Sequence, residues 1–391
     1  MKIKNFLLGA VPALLLASCS NDEVMDFRQD EIGFNVNAGA ISRASDIYCN
    51  NHLPSEFEVF ATYQGATYFN GDVIKNQNGS WVNSTGTRYW PDTQTDGVNF
   101  FAHHNAGETF SWNNGEPTVN GFTVKRDAAA QEDFVYAVKT DCRKDDNGGQ
   151  VSLNFRHALS QVVFRAKNTN PNLHVDIEGV TVCNVNDKGD FAFPASSTDA
   201  QYGVHNGEGA SIDYEDGSWG TWSNLTGKQN FGVTFANVAI PGNGQLHNLT
   251  AALNNNDPAD KATSMVLLPQ TQSAWSGTGK ITDATGTYFL VKCRIRNVAD
   301  AGTGATEEDV YLWGSADEAK DAAIPFDLAW QQGKKYIYTF VFGNGNGGID
   351  PDPDDPDNPV LIPISYTVTV DDFIPGSEHD VEMNTNGISG K

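Results

Sequence analysis

Cysteine is scarce in this chain, and its placement offers no metal chemistry. Five cysteines occur in 391 residues, none spaced as Cys-x-x-Cys or set against histidines in a zinc pattern, so no metal cluster is indicated. Basic residues are also few. Lys and Arg number 25 against 49 Asp and Glu, a formal charge of −24. Such a surface repels phosphate backbones and anionic headgroups, which argues against nucleic acid as a partner. Past the first twenty residues no segment approaches the ~18 consecutive apolar residues of a membrane-spanning helix. No Gly-x-Ser-x-Gly elbow or Cys-His pairing occurs. The glycine run at 343–348 lacks the Lys-Ser/Thr and the helix that a phosphate loop needs. An enzyme is therefore not expected, and no cofactor is required.

What is present begins with an export signal. Lys2 and Lys4 give a positive start, residues 6–16 are apolar, and Leu-Ala-Ser-Cys follows at 16–19. The apolar run is about a dozen residues and contains Pro12, short of the roughly 20 that span a bilayer. Residues 1–18 thus read as a signal peptide. Leu-Ala-Ser-Cys resembles the lipobox of bacterial lipoproteins, which implies acylation of Cys19 and a tether over 19–30 to outer-membrane lipid. A plain secretory cleavage site is the alternative. Ser-Asn-Asp-Glu at 20–23 resembles acidic signals for the outer face, although an ordinary linker fits equally well.

The remainder reads as all-β. Glycine accounts for 38 residues, and short alternating or β-branched runs recur at 56–62, 98–102, 134–137, 151–155, 161–166, 179–185, 265–268 and 336–342. Asn-Gly or Asp-Gly pairs at 70–71, 78–79, 206–207 and 216–217 suit tight hairpins. A charged, glycine-containing break at 144–149 suggests two units, 31–149 and 150–342. Residues 343–359 form a Gly, then Asp/Pro-rich spacer, followed by a strand and tail at 360–391.

Both ends of this region offer a strand of like pattern. At the start, Ile32, Phe34, Val36, Ala38 and Ala40 alternate with small or polar residues; at the end, Ile362, Ile364, Tyr366, Val368 and Val370 share one face. An exposed apolar strand is an aggregation hazard, so each must bury its face in some sheet. A strand on a spacer could add itself to an open sheet edge of another molecule. Such a head-to-tail contact does not close on itself and generates a filament.

The layout resembles the fimbrillin family of Bacteroidales, subunits of a protease-assembled, donor-strand pilus. The residues that carry the likeness are Ser42-Arg43-Ala44, Tyr-Trp-Pro at 89–91, Phe-Phe-Ala at 100–102, Phe-Arg-His-Ala-Leu-Ser-Gln-Val-Val-Phe at 155–164, Leu-Leu-Pro-Gln-Thr at 267–271, Trp-Gln-Gln-Gly-Lys-Lys-Tyr-Ile-Tyr at 330–338, and Thr-Val-Thr-Val-Asp-Asp at 367–372. Resemblance implies two transthyretin-like β-sandwich domains with a tethered C-terminal donor strand. It further implies a lipoprotein precursor at the outer membrane and cell surface, cut by an Arg-specific protease that removes the first strand. Other fimbrial subunits then exchange strands with it. Arg43, in a small and polar surround, is the expected cleavage point, with Arg28 the weaker candidate.

Several features fit structure better than chemistry. His103 and His104 are adjacent in a strand and so face opposite ways; His157 reads as a satisfied core histidine. Cys293 lies on the apolar face of its strand and reads as a buried thiol. Asp350 to Asp357 lack the turn glycine and terminal Glu of an EF-hand. Trp219, Trp222 and Trp275 lie in Gly/Ser/Asn-rich segments, where rings plug loops or stack on sugars. The alternative to assembly is thus a monomeric surface lipoprotein that binds glycan or host through these tryptophans.

Overall fold

The computed structural model describes residues 30–38, 53–92, 95–107, 110–113, 116–199, 217–250, 264–298, 310–343, 347–352, 361–372 and 382–383. Cys19, Ala40, Arg43, most of the spacer and the Asn-Gly pair at 206–207 lie outside them. Among the described residues there is no α-helix, only strands and three short 3₁₀ turns.

The first sheet is a closed barrel in the order β1 (Gly33–Ala38), β4 (Ser80–Asn83), β3 (Ala66–Gln77), β2 (Glu56–Tyr63), β5 (Val98–His104), β8 (Val135–Cys142) and β9 (Gln150–His157), returning to β1. Alternation explains its core. Phe57, Val59, Phe100, Val151, Leu153 and Phe155 point inward with Ile32 and Phe34 from the entering chain. Two hairpins rest on positive-φ pairs. Asn78 and Gly79 join β3 to β4 as expected, but the β2–β3 turn is Gln64-Gly65, with φ of 51° and 75°. Asn70-Gly71 makes no turn; the register shifts there by one residue, a bulge inside β3.

The glycine break at 144–149 is also a turn. Gly148 and Gly149 take positive φ, and the chain re-enters the same barrel as β9, so the sheet does not change at residue 149. The change comes between His157 and Ser160. In the other direction, β6 (Phe110–Asn113) and β7 (Glu116–Thr123) leave the first half of the chain and join a later sheet.

Two further sheets share the larger core. One contains β13 (His247–Asn248), β10 (Ser160–Asn168), β20 (Lys334–Phe342), β23 (Ile364–Asp372) and β24 (Glu382–Met383), with β14 (Met265–Leu267) also on β10. Its partner runs β22 (Leu361–Ile362), β21 (Gly348–Ile349), β18 (Lys320–Pro325), β16 (Tyr288–Asn297), β11 (Leu173–Ala192), β7 and β6, with β12 (Thr221–Ile240) and β17 (Val310–Trp313) beside it. A two-stranded piece, β15 (Thr271–Gln272) with β19 (Leu328–Ala329), completes the described strands. Phe289 of β16 meets Phe164, Tyr338 and Phe340 of the facing sheet at 6.0, 4.8 and 5.4 Å between ring centroids. Interdigitated inner faces of this kind are the packing of a β-sandwich.

One buried ionic group steadies the barrel wall beside β1. Asp72 is almost fully buried and accepts two hydrogen bonds from Arg88, at 2.8 and 2.9 Å, and one from Asn83 at 2.8 Å. Burial pushes its carboxyl up, but the bonds from Arg88 and Asn83 outweigh that and hold it below the usual range. A depressed carboxylate contributes stability above its unfolded pKa of about 4, and that contribution is lost as pH falls through the folded value. Asp72→Asn should therefore destabilise the chain by about 1–3 kcal/mol at pH 7, tempered by the partial exposure of Arg88, and by little in acid. Urea unfolding at pH 7 and pH 3 measures the difference; equal losses at both would remove the ionic account.

Candidate functional site

The two terminal strands hold unequal positions in their sheets. β1 runs parallel to β9 over six residue pairs, from Gly33 opposite Gln150 to Ala38 opposite Phe155. On its other flank β1 meets β4 at a single pair, Phe34 opposite Trp81. Its lead-in is tied to the 88–90 segment by Ile32 N–H to Arg88 O at 2.9 Å and Trp90 N–H to Asp30 O at 2.8 Å. Trp90 in turn donates from Nε1 to Gly149 O at 3.1 Å. The barrel is thus closed by one short strand, bonded fully on one side and sparsely on the other.

The side chains of β1 are the plug. Phe34 lies edge-on to Phe57, Phe69 and Phe100, with centroids 6.2, 6.2 and 6.0 Å away. Ile32 is buried beside it and Val36 half-buried against the same core. Lifting β1 out would uncover these rings and bare the edges of β9 and β4. Ala38 is placed in the strand by its backbone.

The C-terminal strand lies against its own chain. β23 pairs antiparallel with β20 over nine positions, from Lys334 opposite Asp372 to Phe342 opposite Ile364, and its outer edge meets β24 at only two. Ile364 is fully buried; Tyr366, Val368 and Val370 pack half-buried on the large core. The run expected as one strand breaks at Pro363, which has no N–H to donate. Ile362, on the far side of that break, is buried in β22 and belongs to the other sheet. The strand expected to hang on a spacer therefore joins a sheet of its own sandwich, between β20 and the short β24, with Phe289 and Phe326 as an apolar floor.

The remaining candidates resolve into packing. His157 Nδ1 lies 2.5 Å from Asp133 Oδ2, both buried. Trp219 and Trp275 are buried, Trp222 donates from Nε1 to Ala158 O at 2.7 Å, and the Arg156 guanidinium sits 4.4 Å above the Trp219 ring. Trp219 and Trp275 plug loops, whereas Trp222 is a strand residue, opposite Phe191 in the β11–β12 pair. Cys142, Cys183 and Cys293 are buried thiols, and burial pushes the first two up to about 12, which makes them poor nucleophiles. Cys293 is pushed up further by the same cause.

A chain so built is a multi-sheet β-sandwich protein whose ends are strands that close or edge its sheets. It belongs to the fimbrillin-like family, whose sequence model matches residues 50–354. Among solved structures it is similar to a fimbrial protein from Bacteroides vulgatus ATCC 8482, at 12% identity and a TM-score of 0.52, covering 88% of this chain and 99% of that one. It also matches the tip fimbrial protein Mfa3 from Porphyromonas gingivalis with C-terminal truncation, at 9% identity and a TM-score of 0.36, covering 88% of this chain and 99% of that one. At 12% identity the first of these likenesses speaks for the fold alone. No curated protein matches.

Proposed function

We propose that this chain is a structural subunit of a cell-surface fimbria, assembled by strand exchange and serving adhesion. Its precursor is exported, acylated at Cys19 and held at the outer membrane. An Arg-specific protease cuts after Arg43, releasing β1, and the slot between β9 and β4 takes the C-terminal strand of another subunit. The observation that carries this reading is the asymmetry of β1: an N-terminal strand that fills the barrel core with Phe34 yet is paired over six positions on one flank and a single one on the other. Arg43 follows that strand by five residues, so one cut severs the plug from the body.

Energetics favour exchange only after the cut. While β1 is in place, β23 has nothing to gain by leaving β20, and a tethered strand meets its own sheet at an effective concentration of about millimolar. Once β1 is lost, Phe57, Phe69 and Phe100 face water, and a donated apolar strand recovers that burial at roughly 25 cal/mol per Å². In this reading the acceptor slot lies in the N-terminal unit and the donor strand on the C-terminal one. Arg43→Gln should leave the precursor folded, uncut after β1 by an Arg-specific protease even where Arg28 is cleaved, and unable to assemble. N-terminal mass spectrometry and electrophoretic ladders read both; ladders formed by the uncut variant would sink the proposal.

A further inference from the structure

Away from the strand slot, one deeply buried polar ring has no hydrogen bond. His103, in β5, is 3% exposed, and neither ring nitrogen meets a donor or acceptor. Its ring stacks on Phe60 at 5.5 Å between centroids and lies 5.5 Å from Phe110. A buried polar group left unsatisfied costs about 1–3 kcal/mol, so its place in the core calls for a reason. Glu58 Oε2 lies 3.9 Å from Nε2, on a side chain that is half exposed. Both residues line a cleft of about 610 Å³, together with Glu56, Asn70, Phe60 and Phe110.

We infer that this cleft binds an organic monocation, a primary ammonium or guanidinium on an apolar stem, which is the chemistry of a Lys or Arg side chain. The proposal is independent of strand exchange. Neither Lys nor Arg lines the cleft, and nearby Lys75 is turned to Glu56 at 2.9 Å, so an anion finds no partner. Among the described residues no group of three His, Cys, Asp or Glu is set to hold a metal ion. A cationic N–H group donates to the Glu58 carboxylate and, once that half-exposed side chain rotates, to the unsatisfied imidazole. Burial, then His104, pushes His103 down to about 4, so at neutral pH the ring keeps a nitrogen able to accept. Burial, then Glu56, raises Glu58, a strain that a bound cation relieves. Phe60 and Phe110 supply apolar and cation–π contact, and the net charge of −24 draws cations toward the surface.

Titrating the full mature chain with n-butylammonium, while following the His103 ring protons by NMR, tests the assignment. Shifts at His103 are expected to saturate, with n-butanol about tenfold weaker and Glu58→Gln weakening the ammonium by about tenfold. His103→Phe keeps the aromatic stack, should fold at least as stably, and should bind several-fold more weakly. Equal affinity for butanol, binding untouched by Glu58→Gln, or no shift at any ammonium concentration that leaves the protein folded would each overturn it. Tighter binding of zinc at the same protons would make this a metal site and overturn it as well.

Discussion

Removal of residues 360–391 should abolish assembly of the cut subunit while leaving the first barrel folded. β23 contributes Ile364, Tyr366, Val368 and Val370 to the large core and none of its residues to the core of the barrel. Because truncation also bares β20, a point change separates assembly from folding. Val368 is only half-buried where it lies, so Val368→Asp can keep its charge near water in the isolated chain. Inside another subunit's slot the same carboxylate would be enclosed, at a cost of about 3 kcal/mol, or about a hundredfold in assembly. Sedimentation of cut subunits, with circular dichroism of the same samples, reads the two effects apart. Normal oligomers from Val368→Asp would remove this strand as the donor.

Phe34→Ala should lower the stability of the uncut precursor by about 3–5 kcal/mol, the range for deleting a large aromatic side chain from a packed core. Three edge-on rings surround it, and little else can collapse into the space because β1 touches β4 at one pair only. The same substitution should leave the assembled, cut subunit unchanged, since in the proposed reading Phe34 has departed with its strand. Urea denaturation of precursor and of assembled material makes the comparison. An equal loss in both would mean that β1 stays in the barrel after processing.

Much of this arrangement was legible in the residues, for a physical reason. A strand with one buried face alternates, so 151–155 announced itself in that way, whereas 56–62, 98–102 and 336–342, the last of them buried on both faces, showed as runs rich in β-branched and aromatic residues. Ile32 and Phe34 point inward as their alternation suggested, but Ile362 lies in a different sheet from Ile364. The Asn-Gly pair at 78–79 likewise tolerates the positive φ that its turn demands. Long-range pairing left no such mark. Nothing in Gly33–Ala38 shows that it lies parallel to β9, because parallel and antiparallel partners ask for the same side chains. β12 was missed because its twenty residues are largely exposed and polar, and because register shifts against β11 break its alternation. The cleft at His103 was hidden for a third reason: adjacent histidines in a strand look unremarkable until one is found buried without a partner.

The central claim is that one cut converts a closed barrel into an acceptor. Treating the chain from residue 20 onward with an Arg-specific protease, reading the new N-terminus by mass spectrometry and imaging the product by electron microscopy tests it most directly. The account predicts a new N-terminus at Ala44, loss of β1 and the appearance of filaments. Clean cleavage at Arg43 that leaves a monomer with β1 still bound would contradict it.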